Sequence, residues 1–505
     1  MKGRENLLKS QRQLNNYFIN EKEKKVEVMA INTKAISKET NTFALGNVSK
    51  VLIRFAIPAI ISLFVAELYN MVDTLFVGRA IGAEAIGALS IAFPVQRFMI
   101  SLGLLIAVGA STAVARSLGE GNKNKLKYIL GNALTLMLII IISLTILIYL
   151  FMDSILIKLG TTSSIFPYAK DYISIVIFGG VFQCFTVIIG YMLTSLGNAR
   201  ANLIATSIGA LCNVILDIML VMVFPLGVKG AAIATVISQI ISAIYAYYNF
   251  SKVKQEYDIS MNFNLNKDII VTIVAVGFST FIIEISDAVV SVILNNTLSD
   301  YGDTAIIVTG VISKVSMFMY ITMLGITSAM QPIVAFNYGA KNYERVKEVV
   351  RKASKIAHIT TLVMWTIMMI FANGIISCFV KEQDILKNAV GAFRIMISIF
   401  PIVGVYFTAI YYYQAIEESK VSLVLSIFRQ LLIFIPVVLV CVRIFGVLGV
   451  WISYPISDMI SAITGYIYMQ KGMKALDEIE EQKEVSYAAG IYGKNFNRIR
   501  SVEAK

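Results

Sequence analysis

The chain runs to 505 residues, 57% of them hydrophobic and only 15% charged, with a mean hydropathy of +0.74. Soluble globular chains carry about 45–50% apolar and about 25% charged residues, so a water-soluble fold is excluded. A membrane β-barrel is excluded too, because its strands alternate every second residue, whereas residues 128–152 run without a charge. What remains is an all-α polytopic membrane protein.

In chain order, residues 1–45 form a polar, Lys-rich tail with no apolar core. The expectation is therefore no cleavable signal peptide, with the first apolar segment acting as the insertion signal. Met29 offers a shorter start. Twelve apolar segments follow, at 51–77, 85–115, 128–152, 168–197, 201–224, 229–250, 269–299, 304–337, 355–380, 388–416, 420–442 and 446–470. Charged strings punctuate them, such as GEGNKNK at 119–125 and GAKNYERVKE at 339–348. Residues 471–505 close the chain as a second polar tail.

The formal charge of +12 suits a membrane better than nucleic acid, because the bases sit in tails and short loops. Loops after even-numbered segments hold about twice the Lys and Arg of the others, which places both termini in the cytoplasm. Lys-, Ile- and Asn-heavy usage points to a bacterial cell membrane. The four cysteines, Cys184, Cys212, Cys378 and Cys441, lie in apolar runs and read as small hydrophobes. With His358 the single histidine, neither a Ser-His-Asp triad nor HExxH can be assembled, and no GxxxxGK[ST] loop occurs. No enzyme and no cofactor are expected.

An internal repeat is visible. GVKGAAIATVISQIISAI at 227–244 matches GVLGVWISYPISDMISAI at 446–463 at ten of eighteen positions. LGEGN at 118–122 falls opposite YGAKN at 338–342, and TSLGNAR at 194–200 opposite QAIEESK at 414–420. The unit is six segments, an even number, so both halves insert in the same orientation. That predicts an N-lobe over 46–255 and a C-lobe over 256–470, two pseudo-symmetric six-helix bundles around a central cleft. Parallel repeats of this kind rock to give alternating access.

The strings MVDTLFVGRAIGAEAIGALSIAFP (71–94), NVILD (213–217), GVKGAAIATVIS (227–238) and QPIVAFNYGAKN (331–342) together resemble the multidrug and toxic compound extrusion (MATE) family. Within it the chain is most similar to the MepA-type efflux branch, over about residues 46–470. The resemblance implies export of cationic amphipathic drugs by antiport with H+ or Na+, from a protein expected to be a monomer. The rival reading is a flippase for lipid-linked oligosaccharide or peptidoglycan precursor, which should present several bases to its cleft.

Ionisable groups inside a membrane cost about 2.5–3.5 kcal/mol each at a helix centre, so each needs a reason. The acids are Glu67, Asp73, Asp217, Glu284, Asp287 and Asp458; the bases include Arg97, Lys314, Arg394 and Arg429. Asn213 and Asp217, four apart, share a helix face. The resemblance implies a cation site made by Asp73, Asn213, Asp217 and Thr235, with Tyr172 in support. Two carboxylates, an amide and a hydroxyl offer oxygen ligands to a hard cation such as Na+. Two acids sharing a dry site also favour protonation of one, so either is a proton carrier. Bracing of helices by the same acids is the plainer alternative.

In the second half, NorM-type members use a helix 7 glutamate and a helix 10 aspartate. Glu284 matches the first, but the tenth segment has Arg394 and no mid-membrane acid. Glu284 and Asp287 are expected in an internal charge network with Lys314, Arg394 and Arg429, or else in the substrate cleft. Glu67 and Asp458 are balanced between cleft and bracing. Pro58 is expected to kink the first helix. Tyr411, Tyr412 and Tyr413 line the cleft or an interface.

Overall fold

The structure, a computed structural model, describes residues 40–380 and 382–503, with side chains described for most of residues 42–482. Met29 lies outside the described residues. Apolar stretches form helices here because lipid offers no partner to a backbone N–H or C=O. The membrane helices are α1 (Val48–Ala80), α2 (Ala83–Gly119), α3 (Lys123–Leu150), α4 (Phe166–Ser195), α5 (Ala199–Asp217) and α6 (Gly227–Glu256). The second set is α7 (Lys267–Ser299), α8 (Asp303–Gly339), α9 (Tyr343–Ser377), α10 in two pieces (Gln383–Met396 and Phe400–Ala415), α11 (Ser419–Ile427, extended below) and α12 (Val447–Glu503). Among the described residues eleven helices are long and apolar enough to cross a membrane, and the bent α10 pair makes a twelfth. Short helices at Thr40–Leu45 and Met152–Lys158 complete the set.

The repeat reappears as repeated punctuation. Asn47, Asn122, Asn198, Asn266 and Asn342 each cap the next helix by accepting from a backbone N–H, satisfying donors that a helix start leaves open. All five caps open odd-numbered helices, so they lie on one side of the molecule, the side of both termini. On the far side the α1–α2 and α7–α8 turns both rest on glycine, Gly82 at φ +121° and Gly302 at φ +89°, where a side chain would be strained.

Three elements depart from the sequence expectation. The tenth segment is broken, its pieces meeting at 52°. Pro401 follows the break and supplies no N–H; its carbonyl accepts from Thr361 Oγ1 at 3.3 Å and lies 3.0 Å from His358 Nδ1. Beyond residue 470 the chain continues as helix, because Met473, Leu476 and Ile479 repeat at helical spacing in an otherwise polar string. Leu476 is buried, and Lys347 Nζ collects Asp477 at 2.6 Å and Glu480 at 2.9 Å. At the other end Phe43 is fully buried between Phe55 and Phe336, and its carbonyl accepts from Arg345 Nε at 2.6 Å. Pro58, by contrast, lies within an unbroken α1.

In the first bundle α2 packs on α4, α4 on α6, and α5 on α6 and α1; in the second, α8 packs on α9 and α12 on the latter piece of α10. The bundles meet through α2 against α7 and α8, and α1 against α8. Glycine makes these approaches possible. A Cβ at Gly277 would overlap the Leu105 carbonyl and one at Gly109 that of Ile273; Gly119 and Gly339 abut Phe336 and Arg116 in the same way. A buried chain joins the bundles from Thr112 through Gln331 (3.0 Å) and Gln414 (3.2 Å) to Thr280 (3.2 Å). On the terminal side Arg116 reaches across to Glu417 at 2.6 Å.

These contacts fall in the half of the molecule nearer the termini, so the bundles are closed there. Gly277→Leu should wedge α2 from α7 while leaving each bundle folded. The expected outcome is a longer and broader spin-label distance between Lys123 and Lys341, the two terminal-side loops, than in the wild type. An unchanged distribution would show that the glycine contact does not hold the closure.

Candidate functional site

Asp73 lies on α1 seven residues before its end, about 10 Å at 1.5 Å per residue from the far side. Asp217 ends the regular part of α5. Beyond it the chain winds as a π-helix over Ile218–Val223, a local form that concentrates at functional sites. Thr235 enters from α6 and Tyr172 from α4. The structure brings all five predicted residues together. Asp73 and Tyr172 are 6% and 2% exposed, while Asn213, Asp217 and Thr235 are fully buried. Asn213 Nδ2 donates to Thr235 Oγ1 at 3.4 Å, and Asp73 neighbours both Asp217 and Tyr172.

The oxygens left over matter most. Asp73 Oδ1, both carboxylate oxygens of Asp217 and Asn213 Oδ1 are buried without a hydrogen-bond partner. Buried polar atoms are normally satisfied, so four open acceptors in one cluster mark it as a candidate site for a cation or a proton. Tyr69, one helical turn before Asp73, joins the same cluster beside Thr235. It was missed in the sequence, although its i, i+4 spacing to Asp73 puts both on one face.

The second bundle treats its acids differently. Arg429 lies in a second π-helix, Phe428–Phe434, which α11 enters before resuming as Ile435–Phe445. Its guanidinium holds Asp458 at 3.1 Å, donates to the Tyr320 hydroxyl at 2.6 Å, and stacks over Phe407. Asp458 therefore braces α12 against α11. Asp287 accepts from Gln430. Glu284 pairs with Arg97 of α2, at 3.3 Å across the bundle interface.

The network expected around Glu284 and Asp287 is thus corrected in its membership. Arg394 instead donates to the Met369 carbonyl at 3.2 Å, and Lys314 is exposed. Sequence spacing gave no hint of Arg97, which comes from the other half of the chain. Glu67 is half-buried and joins neither cluster in the hydrogen bonds described. Tyr412 and Tyr413 form an interface with α12, Tyr412 donating to Gly472 O at 3.2 Å and Tyr413 to Tyr468 O at 2.7 Å, whereas Tyr411 lies near Tyr191 and Glu284. Cys184 and Cys441 are buried as expected, but Cys378 is exposed and Cys212 lies between.

Comparison with known proteins gives the arrangement its family. The MatE family model matches residues 58–219 and 280–440, one stretch in each half and together well over half the chain. The chain belongs to the MatE family. Among similar proteins are the multidrug export protein MepA of Staphylococcus aureus (strain MSSA476), 24% identical over 448 residues covering 87% of this chain and 97% of that protein. MepA of Staphylococcus saprophyticus is likewise 24% identical, over 445 residues, covering 87% of this chain and 97% of that protein. An outward-facing multidrug resistance MATE transporter superposes with a TM-score of 0.83 at 25% identity, covering 88% of this chain and 99% of that one. A MATE structure in a straight conformation gives 0.83 at 26% identity, covering 88% and 100%. As in those proteins, the MatE chain described here is a multi-pass membrane protein.

The contrast between the bundles has a measurable consequence for stability. Asp458→Ala would strand the buried Arg429 guanidinium, and breaking such a pair costs about 3–5 kcal/mol. Asp217→Asn removes an acid that has no base to lose. Thermal unfolding in detergent should show a marked loss for Asp458→Ala and an equal or higher midpoint for Asp217→Asn. Comparable losses in both would mean that Asp217 has a bracing partner.

Proposed function

We propose that this MatE chain is a secondary active multidrug exporter, driving cationic and amphipathic drugs out of the cell by antiport with H+ or Na+. The observation that carries the reading is the buried Asp73–Asp217 pair, whose open oxygens have no base beside them. An acid pair in that state is costly while both members are charged, and it gains most from taking up a cation. With Asn213 and Thr235 it forms the coupling site; Tyr172 and Tyr69 bound it. The similar proteins are named for multidrug export, which supports the substrate class. The clustering of acids without bases in the first bundle speaks against a flippase for pyrophosphate-linked lipid.

The excess of bases on the terminal side supports a cytoplasmic placement of both ends. Closure on that side supports reading this conformation as outward-opening, and an outward-facing relative is among the similar structures. In the proposed cycle the site takes up its ion from outside, and the charge on Asp73 and Asp217 falls. Cationic cargo loses its electrostatic hold, and the bundles then rock to release the ion inside. A tenfold gradient of the ion yields about 1.4 kcal/mol, enough for a tenfold gradient of a monovalent cation exchanged one for one, and the membrane potential adds to it where more positive charge enters than leaves. The protein works as a monomer in the bacterial plasma membrane and needs no cofactor.

Ethidium efflux from proteoliposomes, with H+ and Na+ gradients imposed separately, tests the reading. Wild-type protein should export under one gradient, and Asp73→Asn should reduce the gradient-driven rate by tenfold or more without lowering incorporation. Full efflux by Asp73→Asn would remove that residue from coupling, and no efflux by the wild type under either gradient would remove the exporter.

A further inference from the structure

A groove of about 540 Å³ opens on the terminal side between α1 and α5, far from the acid site. At 1.5 Å per residue, Asp73 is about 24 Å further along α1 than Ile57. The lining is ordered by chemistry. Lys50 and Arg54 of α1 and Arg200 of α5 stand at its terminal end, all exposed. Ile53 lies level with these bases, and Ile57 and Ile204 continue the groove toward the membrane centre, the three with 46%, 51% and 42% of their surface uncovered. On α1 the bases 50 and 54 and the isoleucines 53 and 57 recur at i, i+4, which stacks them along one face of the helix.

The pattern describes its occupant. A cluster of cations above a strip of exposed aliphatic side chains complements an amphiphile with an anionic head and hydrocarbon tails. It repels the cationic cargo proposed for the cleft. It is equally unsuited to the chain's own first 39 residues, which carry nine Lys and Arg against five Glu. Basic pockets between helices at the cytoplasmic surface recognise acidic lipid headgroups by charge and hydrogen bonding together.

We propose that the α1–α5 groove is a binding site for an acidic phospholipid of the cytoplasmic leaflet, held by Lys50 and Arg200 through its phosphate. The site rests on the cytoplasmic placement of the terminal side and not on drug export. Because α1 carries both this groove and Asp73, an occupied groove fixes one end of the helix whose other end bears the coupling acid.

The test is native mass spectrometry of the full-length protein, titrated with phosphatidylglycerol or phosphatidylcholine. Wild type should retain phosphatidylglycerol in preference. Each base beside an anionic headgroup contributes about fivefold in affinity. Lys50→Gln/Arg200→Gln should therefore weaken the first retained phosphatidylglycerol by tenfold or more, while Lys50→Arg/Arg200→Lys keeps it. If the Gln pair fails to fold, Arg200→Gln alone should still lose about fivefold. Lys123→Gln/Lys127→Gln removes equal charge from the same side and should leave binding unchanged. Equal loss in both double variants, no loss in either, or displacement of the lipid by inorganic phosphate alone would each overturn the site. Because lipid retention is read and not transport, failure here leaves the exporter reading standing.

Discussion

A charge buried away from water must find a counter-charge, a hydrogen-bond partner or a proton. That constraint orders the interior of this protein more than any single contact does. In the second bundle Arg429 answers Asp458, Gln430 answers Asp287, and Arg97 crosses the interface to answer Glu284. In the first bundle Asp73 and Asp217 share a site without a base. One architecture, used twice, thus contains one electrostatically closed half and one open half. The open half is suited to work with an ion, and the closed half to hold its geometry while the other changes.

The link between the two halves is equally physical. Polar groups between helices are expensive when unmatched, and the Thr112–Gln331–Gln414–Thr280 chain is matched along its length. It lies beside glycines that let α2, α7 and α8 touch backbone to backbone. Such an interface has few intermediate states, since a small separation loses the close packing and strands the amides together. Arg116 adds a charged contact to Glu417 at the rim. Closure on the terminal side therefore rests on close packing and matched polar groups together. Helix α1 is the element best placed to bias it, for it packs on α8 near Ile60 and Gly325 and carries Asp73 further along.

Much of this was legible in the sequence because membrane insertion writes a strong signal. Uncharged runs set most of the helices within a few residues, though the ninth begins twelve residues early at Tyr343 and the twelfth runs on to Glu503, and the matching strings at 227–244 and 446–463 gave the two-bundle plan. The acid site was legible for a different reason: Asp73, Asn213 and Asp217 are so costly in apolar helices that each calls for a purpose. Residues such as Arg97 were not legible as partners. Its pairing with Glu284 spans 187 positions and depends on how two bundles meet, which periodicity within one helix does not encode. The break in α10 was hidden because its residues are apolar on both sides of Ser398, and only Pro401 marked it. The docked start of the C-terminal segment was concealed by composition, since three spaced apolar residues suffice to bury one face of a polar helix.

The charge distribution finally shows how a parallel repeat can carry two bundles of unlike chemistry. Both halves must begin with the same helix order for their inner helices to pack about one axis, as α2 and α8 do through Gly119 and Gly339. Under the proposed function, however, one ion site would have to be distinguished from its counterpart in the other half. Divergence of side chains on a conserved backbone plan meets both demands. Thr235 and Tyr454 occupy matching places in the repeated string, yet the first sits in a cage of open oxygens and the second beside a satisfied ion pair. The repeat supplies the matching backbones, and the departure from the repeat supplies the contrast between open and paired acids.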